Sequence, residues 1–454
     1  MQASPSLSAL KDTSGPSIFR NRHFMLLWIA QAVSMTAQQA IWFGMIVVVE
    51  EQTRSSTQLS LAILTTIIPA VVFGLAAGVF VDHANKKTVL IATNFLRAVT
   101  VAGYLLYGWS LYVVYVVNAL FVTISQFFGP AEAASIPALV PRRHLIIANS
   151  LFNITFTASQ LTGIVFLAPA VIKAFGPPWL FVLTSGLYIV AGALVSFLPP
   201  GVPPVRPLSA LRRETVVRDV VTEVSEVWAF IRRDSQTSWA MVHITITSTL
   251  MLVMAMLTPR YVVDVLGVQP EDAVYLFAPA GLGILLITSQ LSRLARRFGS
   301  TRLVNVGFTG AGVAVMLIPG LVLVEGPTLS AVNATIGQLL HLPFRHALVP
   351  PLMVASLALG VGYAMASVPS QAILMERAPV DSRGRIFSVL LMMTNVGAIV
   401  PLVFLGGLAD AVGVNLTMAL TGLLVVAVGV MGFRASAIAA RVQPSGPDLA
   451  TDAR

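Results

Sequence analysis

Long runs of hydrophobic residues, separated by short polar and charged segments, recur along the whole chain. An α-helix needs about 20 mostly apolar residues to cross a bilayer. Ten runs of that length carry no Asp, Glu, Lys or Arg: 24–49, 55–81, 145–172, 174–205, 235–259, 273–292, 303–324, 347–375, 386–409 and 411–433. An eleventh run, 88–131, has Arg97 as its single charge and is too long for one helix. Because Gly108, Trp109 and Ser110 near its middle are typical of a turn, the pattern predicts twelve spans.

The composition agrees with a membrane protein and excludes other classes. Of the 454 residues, 56% are hydrophobic and 10% are charged, whereas soluble domains contain about 25% charged residues. An ordinary soluble enzyme and a disordered protein are therefore excluded. The chain has no cysteine, so disulfides, thiolate nucleophiles and cysteine-ligated metals are excluded as well.

The distribution of basic residues predicts the orientation of the spans. The net charge of +9 is at first sight typical of a nucleic-acid-binding protein. If the N-terminus is cytoplasmic and the spans alternate, 23 of the 28 Lys and Arg residues face the cytoplasm, four face outward and Arg97 lies within a span. Cytoplasmic loops of membrane proteins carry such an excess. The charge thus predicts a multi-pass protein of the cell (inner or plasma) membrane with both termini cytoplasmic, and no nucleic-acid partner.

The spans fall into two halves of six around the longest inner connection. We expect an N-terminal six-helix bundle at 1–198, a cytoplasmic linker at 199–236 and a C-terminal six-helix bundle at 237–454. Apolar residues at helical spacing within 217–231 favour an amphipathic helix on the membrane face, although a plain connector fits equally well. Two pseudo-symmetric bundles are typical of a duplicated transporter with its substrate path at the interface.

Sequence signals for enzymatic chemistry are absent. No Gly-x-x-x-x-Gly-Lys-Ser/Thr loop or His-Glu-x-x-His motif occurs, so ATP hydrolysis by the chain itself and a zinc protease site are excluded. His341, Arg345 and His346 in the longest outer loop do not have the spacing of a standard metal site, and we interpret them as polar surface residues. The sequence therefore predicts that the protein is not an enzyme and that it binds neither a cofactor nor a metal.

Several segments resemble a known transporter family. The turn from Gly78 to Lys87, GVFVDHANKK, is similar to the Gly-x-x-x-Asp-Arg-x-x-Arg-Arg signature of the major facilitator superfamily. The segments 19–28, 128–141, 148–151 and 376–387 resemble the macrolide-efflux and enterobactin-exporter branch of its drug:proton antiporters. This resemblance covers nearly the whole chain. It implies an all-α polytopic fold of twelve transmembrane helices in two pseudo-symmetric six-helix bundles.

The signature turn also implies a latch on the inner face. Gly78 allows two helices to approach closely, and Asp82 can accept from N–H groups at the start of a neighbouring helix. In the family such a contact locks one conformation and breaks in the other. Lys86 and Lys87 occupy the final basic positions, where lysine keeps the charge but lacks the bidentate fork of arginine.

Four residues are candidates for coupling transport to an ion, since charge inside a bilayer is costly and rare. They are Arg97, Glu132, His243 and Asp410. Arg97 either contacts an anionic substrate or a coupling acid, or it extends to the inner face or braces the Asp82 latch. Glu132 either titrates or pairs with Arg142 or Arg143 as a solvated loop acid.

The remaining ionisable residues have similar alternatives. His243 is either a proton carrier, since an unperturbed histidine titrates near neutral pH, or a hydrogen-bonded packing residue. Asp410, beside two glycines, is either a turn residue or a gate. Glu50, Glu51 and Asp264 are expected to be solvated at the outer ends of their spans.

Uncharged side chains within the spans predict a substrate cavity. Polar and aromatic groups in hydrocarbon should face the protein interior. The candidates are Gln38, Gln39, Trp42, Asn118, Gln126, Asn153, Tyr363 and Asn395. A cavity without charge favours a hydrophobic or neutral substrate.

Together these patterns predict a monomeric secondary transporter that exports hydrophobic small molecules by alternating access. The substrate would be a drug, a macrolide or a siderophore-like natural product, with membrane lipids as surroundings and protons as the coupling ion. The alternatives are a lipid or lysolipid translocator, a facilitated-diffusion carrier, and a membrane receptor or scaffold that transports nothing.

Overall fold

A computed structural model describes residues 18–199, 235–323, 349–377 and 383–442. The α-helices of this part of the chain are α1 (Arg22–Thr53), α2 (Ser56–His83), α3 (Lys86–Ala102), α4 (Leu111–Leu139), α5 (Leu145–Gln160), α6 (Ala168–Phe175), α7 (Pro177–Ser196), α8 (Ser235–Asp264), α9 (Val274–Phe298), α10 (Ser300–Leu323), α11 (Val349–Arg377), α12 (Arg383–Val412) and α13 (Val414–Val442). Short 3₁₀ segments occur at Ile18–Arg20, Gly103–Leu106, Arg142–His144 and Pro270–Ala273.

The predicted all-α fold with twelve spans is confirmed. Twelve helical segments among the described residues are long and apolar enough to cross a membrane, and no strand occurs in those residues. The long run 88–131 divides as predicted: α3 is followed by the Gly103–Leu106 segment, and Ser110 caps the start of α4 by accepting from the backbone N–H of Tyr112. The predicted linker helix, His341, Arg345 and His346 lie outside the described residues.

One span contains a change of helix type. Helices α5 and α6 belong to a single span, Leu145–Phe175, and a π-helical segment at Leu161–Leu167 joins them. Pro169 lacks the N–H that an α-helix would direct to the carbonyl of Val165. At the end of the segment the Ala168 N–H donates to the carbonyl of Gly163, five residues earlier, which is the spacing of a π-helix.

The contacts divide the described residues into two compact units. The first unit contains 18–49 and 64–199, and the second contains 50–63 together with the described residues from 235 onward. Residues 50–63, the end of α1 and the start of α2, therefore make their contacts with helices of the C-terminal half. The predicted boundary at 199–236 stays a prediction.

Each unit has its own packing. In the first unit, α3 packs against α4 and α7, around a core that includes Phe24, Leu90 and Phe128. In the second, α10 packs between α11 and α13. A Cβ on Gly307 would lie 2.7 Å from the carbonyl oxygen of Gly362, so these helices are in backbone contact, as small residues allow in membrane proteins.

Candidate functional site

A buried arginine lies in the interior of the first unit. Arg97 of α3 is 1% exposed. Its Nη1 donates to the Ser34 hydroxyl at 3.1 Å and its Nη2 to the Ser125 carbonyl at 3.2 Å. The guanidinium carbon lies 4.4 Å from the centre of the Phe128 ring and 5.6 Å from that of Tyr188. The interpretation in which Arg97 extends to a membrane face is therefore wrong.

The local sequence explains why Arg97 points inward. The buried residues of α3 are Val89, Leu90, Thr93, Asn94, Arg97, Ala98 and Val101. They recur every three or four positions, which places them on one stripe of the helix. Arg97 shares this stripe, so the packing of α3 against α4 and α7 carries its side chain into the bundle.

A buried carboxyl group faces the same interior. Glu132 of α4 is 6% exposed, and its Oε1 has no hydrogen-bond partner among the described residues. Its charge interacts with that of Arg97, although the two side chains form no direct ion pair in the described structure. Glu132 is thus not a solvated loop acid. An ionisable group in this setting can bind or release a proton without breaking a hydrogen bond at that atom.

The first unit contains several unsatisfied polar atoms. Buried polar groups in proteins are normally hydrogen-bonded. Yet Gln31 Oε1, Arg97 Nε and Tyr188 Oη, like Glu132 Oε1, are buried without a partner in the described residues. Asn94, by contrast, accepts from Ser34 at 3.3 Å and donates to the Leu90 carbonyl at 2.9 Å. We call the set of Ser34, Asn94, Arg97, Glu132 and Tyr188 the Arg97 cluster.

Asn118, predicted to line the substrate cavity, is engaged within the first unit. It is 3% exposed. Its amide nitrogen donates to Thr65 Oγ1 at 2.8 Å and Thr66 Oγ1 at 2.9 Å, while its oxygen accepts from the Tyr104 hydroxyl at 2.9 Å. These bonds tie α4 to α2 and to the end of the third span, and they use both amide protons.

The other predicted cavity residues differ in exposure. Gln38, Gln39, Trp42, Gln126, Tyr363 and Asn395 are half-buried, and Asn153 is exposed. His243 is half-buried, with its ring centre 5.9 Å from that of Trp239 and 5.3 Å from that of Phe308. The histidine thus lies among aromatic rings. That His243 and the predicted cavity residues contact a substrate stays a prediction.

The signature turn between α2 and α3 is open. A Cβ on Gly78 would have no heavy atom within 4 Å. Asp82 is exposed, and its carboxylate has no hydrogen bond or ion pair with any described residue. Lys86 Nζ donates to the Asp82 carbonyl at 3.0 Å, and Lys87 Nζ donates to the Leu198 carbonyl at 2.5 Å. The lysines therefore bind backbone carbonyls and not the carboxylate.

Asp410 contacts the beginning of another helix. Its carboxylate accepts from the Ser55 hydroxyl at 2.6 Å, the Ser56 N–H at 2.8 Å and the Thr57 N–H at 3.0 Å. The first N–H groups of a helix lack internal partners, and a carboxylate satisfies them well. One turn earlier, a Cβ on Gly406 would lie 2.9 Å from the Ser56 carbonyl oxygen. Asp410 is thus an intramolecular cap of α2, and α12 touches α2 closely at Gly406.

A second buried carboxyl group was not expected from the sequence. Glu50 of α1 is 0% exposed, so the expectation that it is solvated is wrong. Arg260 of α8 has its Nη1 3.9 Å from Glu50 Oε1, and its Nε bonds to Asp264 Oδ2 at 2.5 Å. We call Glu50, Arg260 and Asp264 the Glu50 cluster; all three belong to the second unit.

The sequence contains partial signals for the Glu50 cluster. Arg260 and Asp264 are spaced i, i+4, so they meet on one helix face. Glu50 lies four residues after Ile46, which is itself buried, and it therefore occupies the same face of α1. What the pattern could not indicate is that Arg260 of α8 lies close to Glu50.

Comparisons with known proteins agree with the fold. Residues 27–340 match the family model of the Major Facilitator Superfamily. YfiS, an uncharacterised MFS-type transporter of Bacillus subtilis (strain 168), is 24% identical over 91% of this chain and 93% of its own length. Macrolide efflux protein A of Streptococcus pyogenes is 31% identical over 30% of this chain and 36% of its own.

A solved structure with low sequence identity has the same fold. The nucleoside transporter NupG superimposes with a TM-score of 0.65 at 11% identity, covering 90% of this chain and 99% of NupG. The match of the family model extends over more than half of the sequence, and the twelve helical spans agree with it. The chain therefore belongs to the Major Facilitator Superfamily of membrane transporters.

Proposed function

We propose that this chain exports hydrophobic small molecules across the cell membrane by alternating access, in exchange for protons. Glu132 carries this proposal: a buried carboxyl group with an unpartnered oxygen, within electrostatic reach of the buried Arg97. Because a lone charge is unfavourable in an apolar interior, the neutral and charged forms of Glu132 would favour different arrangements of the cluster. The partial similarity to a macrolide efflux protein supports export of a macrolide-like drug; a siderophore-like natural product belongs to the same proposed class.

The substrate contacts would come from uncharged side chains. The half-buried Gln38, Gln39 and Trp42 of α1 offer amide and aromatic surfaces without charge. Pockets lined mostly by apolar side chains bind apolar ligands and orient them by a few polar groups. Lipophilic and neutral compounds are therefore the proposed class.

Asp410 and Asp82 are the proposed latches of the transport cycle. In the orientation that the basic residues predict, the α1–α2 turn lies outside and the α2–α3 turn lies inside. The capping bonds of Asp410 would hold the outer turn, whereas Asp82 would bind only in the opposite conformation. A transporter of this type needs elements with two stable arrangements.

The orientation can be tested directly because the chain has no native cysteine. Arg143→Cys and Trp109→Cys introduce thiols at exposed turns on the predicted inner and outer sides. A membrane-impermeant maleimide added to intact cells should label Trp109→Cys and leave Arg143→Cys unlabelled. The reverse result would contradict a cytoplasmic N-terminus.

The coupling is tested in proteoliposomes with a labelled macrolide and a neutral lipophilic dye. The wild-type protein should accumulate at least one of them when a pH gradient is applied. Glu132→Gln should abolish this accumulation but retain counterflow exchange, which needs no net proton movement. The matched control is Glu51→Gln, because Glu51 is exposed. Transport that ignores a collapsed proton gradient would rule out proton antiport and favour facilitated diffusion.

A further inference from the structure

We propose that Glu50 is a second proton-binding site, and that release of its proton draws Arg260 from Asp264 towards Glu50. This inference rests on the proton-coupled export proposed above and adds an entry point for the proton at the predicted outer ends of α1 and α8. Deprotonation moves the proton from the carboxyl group to water and leaves a carboxylate for Arg260 to bind.

The first argument is the environment of Glu50. Both of its carboxyl oxygens are buried, and neither has a hydrogen-bond partner among the described residues. The preceding residues Ile46 and Val47 are 2% and 0% exposed. A carboxyl group in such surroundings is compatible with burial when it is neutral, or when a cation comes within bonding distance.

The second argument is the position of the nearest cation. Arg260 Nη1 is 3.9 Å from Glu50 Oε1, and this nitrogen also has no hydrogen-bond partner in the described part of the chain. A hydrogen bond would require a movement of about 1 Å. The arrangement therefore fits a neutral Glu50 beside an arginine that is engaged elsewhere.

The third argument is that Arg260 has an alternative partner. Its Nε is bonded to Asp264 Oδ2 at 2.5 Å. A guanidinium group has five N–H donors in a fixed plane, so Arg260 can turn towards Glu50 and keep or give up Asp264. The side chain of Arg260 is 23% exposed, which gives this region access to solvent for proton exchange.

The charges around Glu50 make its ionisation depend on Arg260. The charged groups that act on it are Arg260 and Asp264 of α8, Asp410 of α12, and Arg54 just beyond α1. The carboxylate of Asp410 already accepts three hydrogen bonds at the start of α2. Two acids oppose a further negative charge and two arginines favour it, and Arg260 is the one placed to move.

The position of Glu50 connects it to the cap formed by Asp410. The Glu50 carbonyl accepts from the Arg54 N–H at 2.9 Å, and the capped residues Ser55 and Ser56 follow directly. Arg54 has a φ of 45°, a conformation that non-glycine residues rarely adopt. A change of charge at Glu50 therefore occurs one helical turn from the proposed outer latch.

The direct test is a measurement of the proton itself. Infrared spectra of the purified full-length protein are recorded across a pH series in a Glu132→Gln background, so that Glu132 makes no contribution. Protonated carboxyl groups absorb separately from carboxylates. We expect Glu50→Gln to remove a titrating protonated-carboxyl band that Glu51→Gln retains. The pair is matched, because both variants remove one acid from neighbouring positions while Glu51 is exposed.

A second variant tests the role of the arginine. Arg260→Gln removes the cation that stabilises ionised Glu50, so the protonated band should persist to more alkaline pH. Equal bands in Glu50→Gln and Glu51→Gln would overturn the proton site. An unchanged titration in Arg260→Gln would overturn the exchange of partners.

Transport separates this inference from the proposed function. In the wild-type background, Glu50→Gln should retain counterflow and lose the dependence of transport on outer pH. If no variant shows proton-driven transport but the infrared band follows Glu50, the proposed function fails and the proton site stands. If transport is proton-driven and Glu50→Gln keeps the wild-type pH dependence, the inference fails alone.

Discussion

Two segments, 78–82 and 406–410, share the pattern Gly-x-x-x-Asp at the end of a long helix, and they differ in what they contact. In the second segment Asp410 accepts three hydrogen bonds at the start of α2, and Gly406 lies against that helix. In the first segment, Gly78 has open space where its side chain would be, and Asp82 is exposed.

The difference shows what the pattern does and does not determine. A glycine lets another helix approach, and an acid one turn later can satisfy the free N–H groups at its start. These two properties are local and can be predicted from the sequence. Whether a helix start is present opposite the pair depends on the conformation of the protein. The same pattern can therefore be engaged at one place and open at another.

The largest effect on stability is expected at Asp410, the acid that is hydrogen-bonded to the start of α2. Asp410→Ala removes the cap of α2 and should lower the free energy of unfolding by about 2 kcal/mol. Asp82→Ala removes no contact seen in the structure and should change it by less than about 0.5 kcal/mol. Thermal unfolding in detergent micelles measures both. Equal losses would mean that the two segments are not in different states.

The second prediction concerns the exposed Asp82 during transport. If Asp82 binds only in the opposite conformation, Asp82→Asn should slow transport about tenfold, which corresponds to about 1.4 kcal/mol in the barrier. Substrate binding in the resting state should be unchanged, since Asp82 makes no contact there. Initial rates in proteoliposomes and equilibrium binding provide the two readouts. A variant with the wild-type rate would refute a latch at Asp82.

The two glycines should respond to alanine with opposite signs. At Gly406 a Cβ would meet the backbone oxygen of Ser56 at 2.9 Å and the Ser60 hydroxyl at 3.0 Å, so Gly406→Ala should destabilise the protein by about 1 kcal/mol. At Gly78 nothing is displaced, so Gly78→Ala should stabilise α2 by up to about 1 kcal/mol. Melting temperatures of the two variants are compared with wild type. A stabilising Gly406→Ala would show that α12 and α2 do not touch there.

The smallest effects are expected at the residues that cap the starts of α2 and α3. Ser55 accepts from the Gln58 N–H at 3.3 Å, but Asp410 also caps α2. Asn85 is the side-chain cap of α3, accepting from the Thr88 N–H at 3.3 Å. Ser55→Ala should therefore cost only about 0.5 kcal/mol and Asn85→Ala about 1 kcal/mol. In an Asp410→Ala background, where Ser55 is left as the cap, the cost of Ser55→Ala should rise to about that of Asn85→Ala; an unchanged cost would contradict shared capping.

The sequence alone predicts the spans and their number, because runs without charge identify the helices. It did not decide between burial of Arg97 and extension to the inner face: Leu90, Asn94 and Arg97 share one stripe of α3, but which side of α3 faces protein depends on how the helices pack. Glu132 was recognised as a candidate. Its position near Arg97 was not predicted, because that depends on how α4 is rotated against α3.

The burial of Glu50 could not be predicted for a different reason. Helix α1 is apolar on all sides near its end, and every residue from Phe43 to Glu50 is buried. A helix without a polar face gives no indication of which side faces lipid and which faces protein. The position of Glu50 at the end of a charge-free run was therefore equally compatible with solvent and with the interior.

The π-helical segment at Leu161–Leu167 has a consequence for the span that contains it. A π turn holds one residue more than an α turn, and each residue rotates an α-helix by about 100°. The side chains of α6 are therefore turned by about that angle relative to a helical wheel drawn from α5. A helical wheel extended from α5 would therefore place the side chains of Lys173 and Phe175 in the wrong directions. Deleting one residue from the segment would redirect all of α6 while leaving the span long enough to cross the bilayer, so orientation in this helix is encoded by the residue count itself.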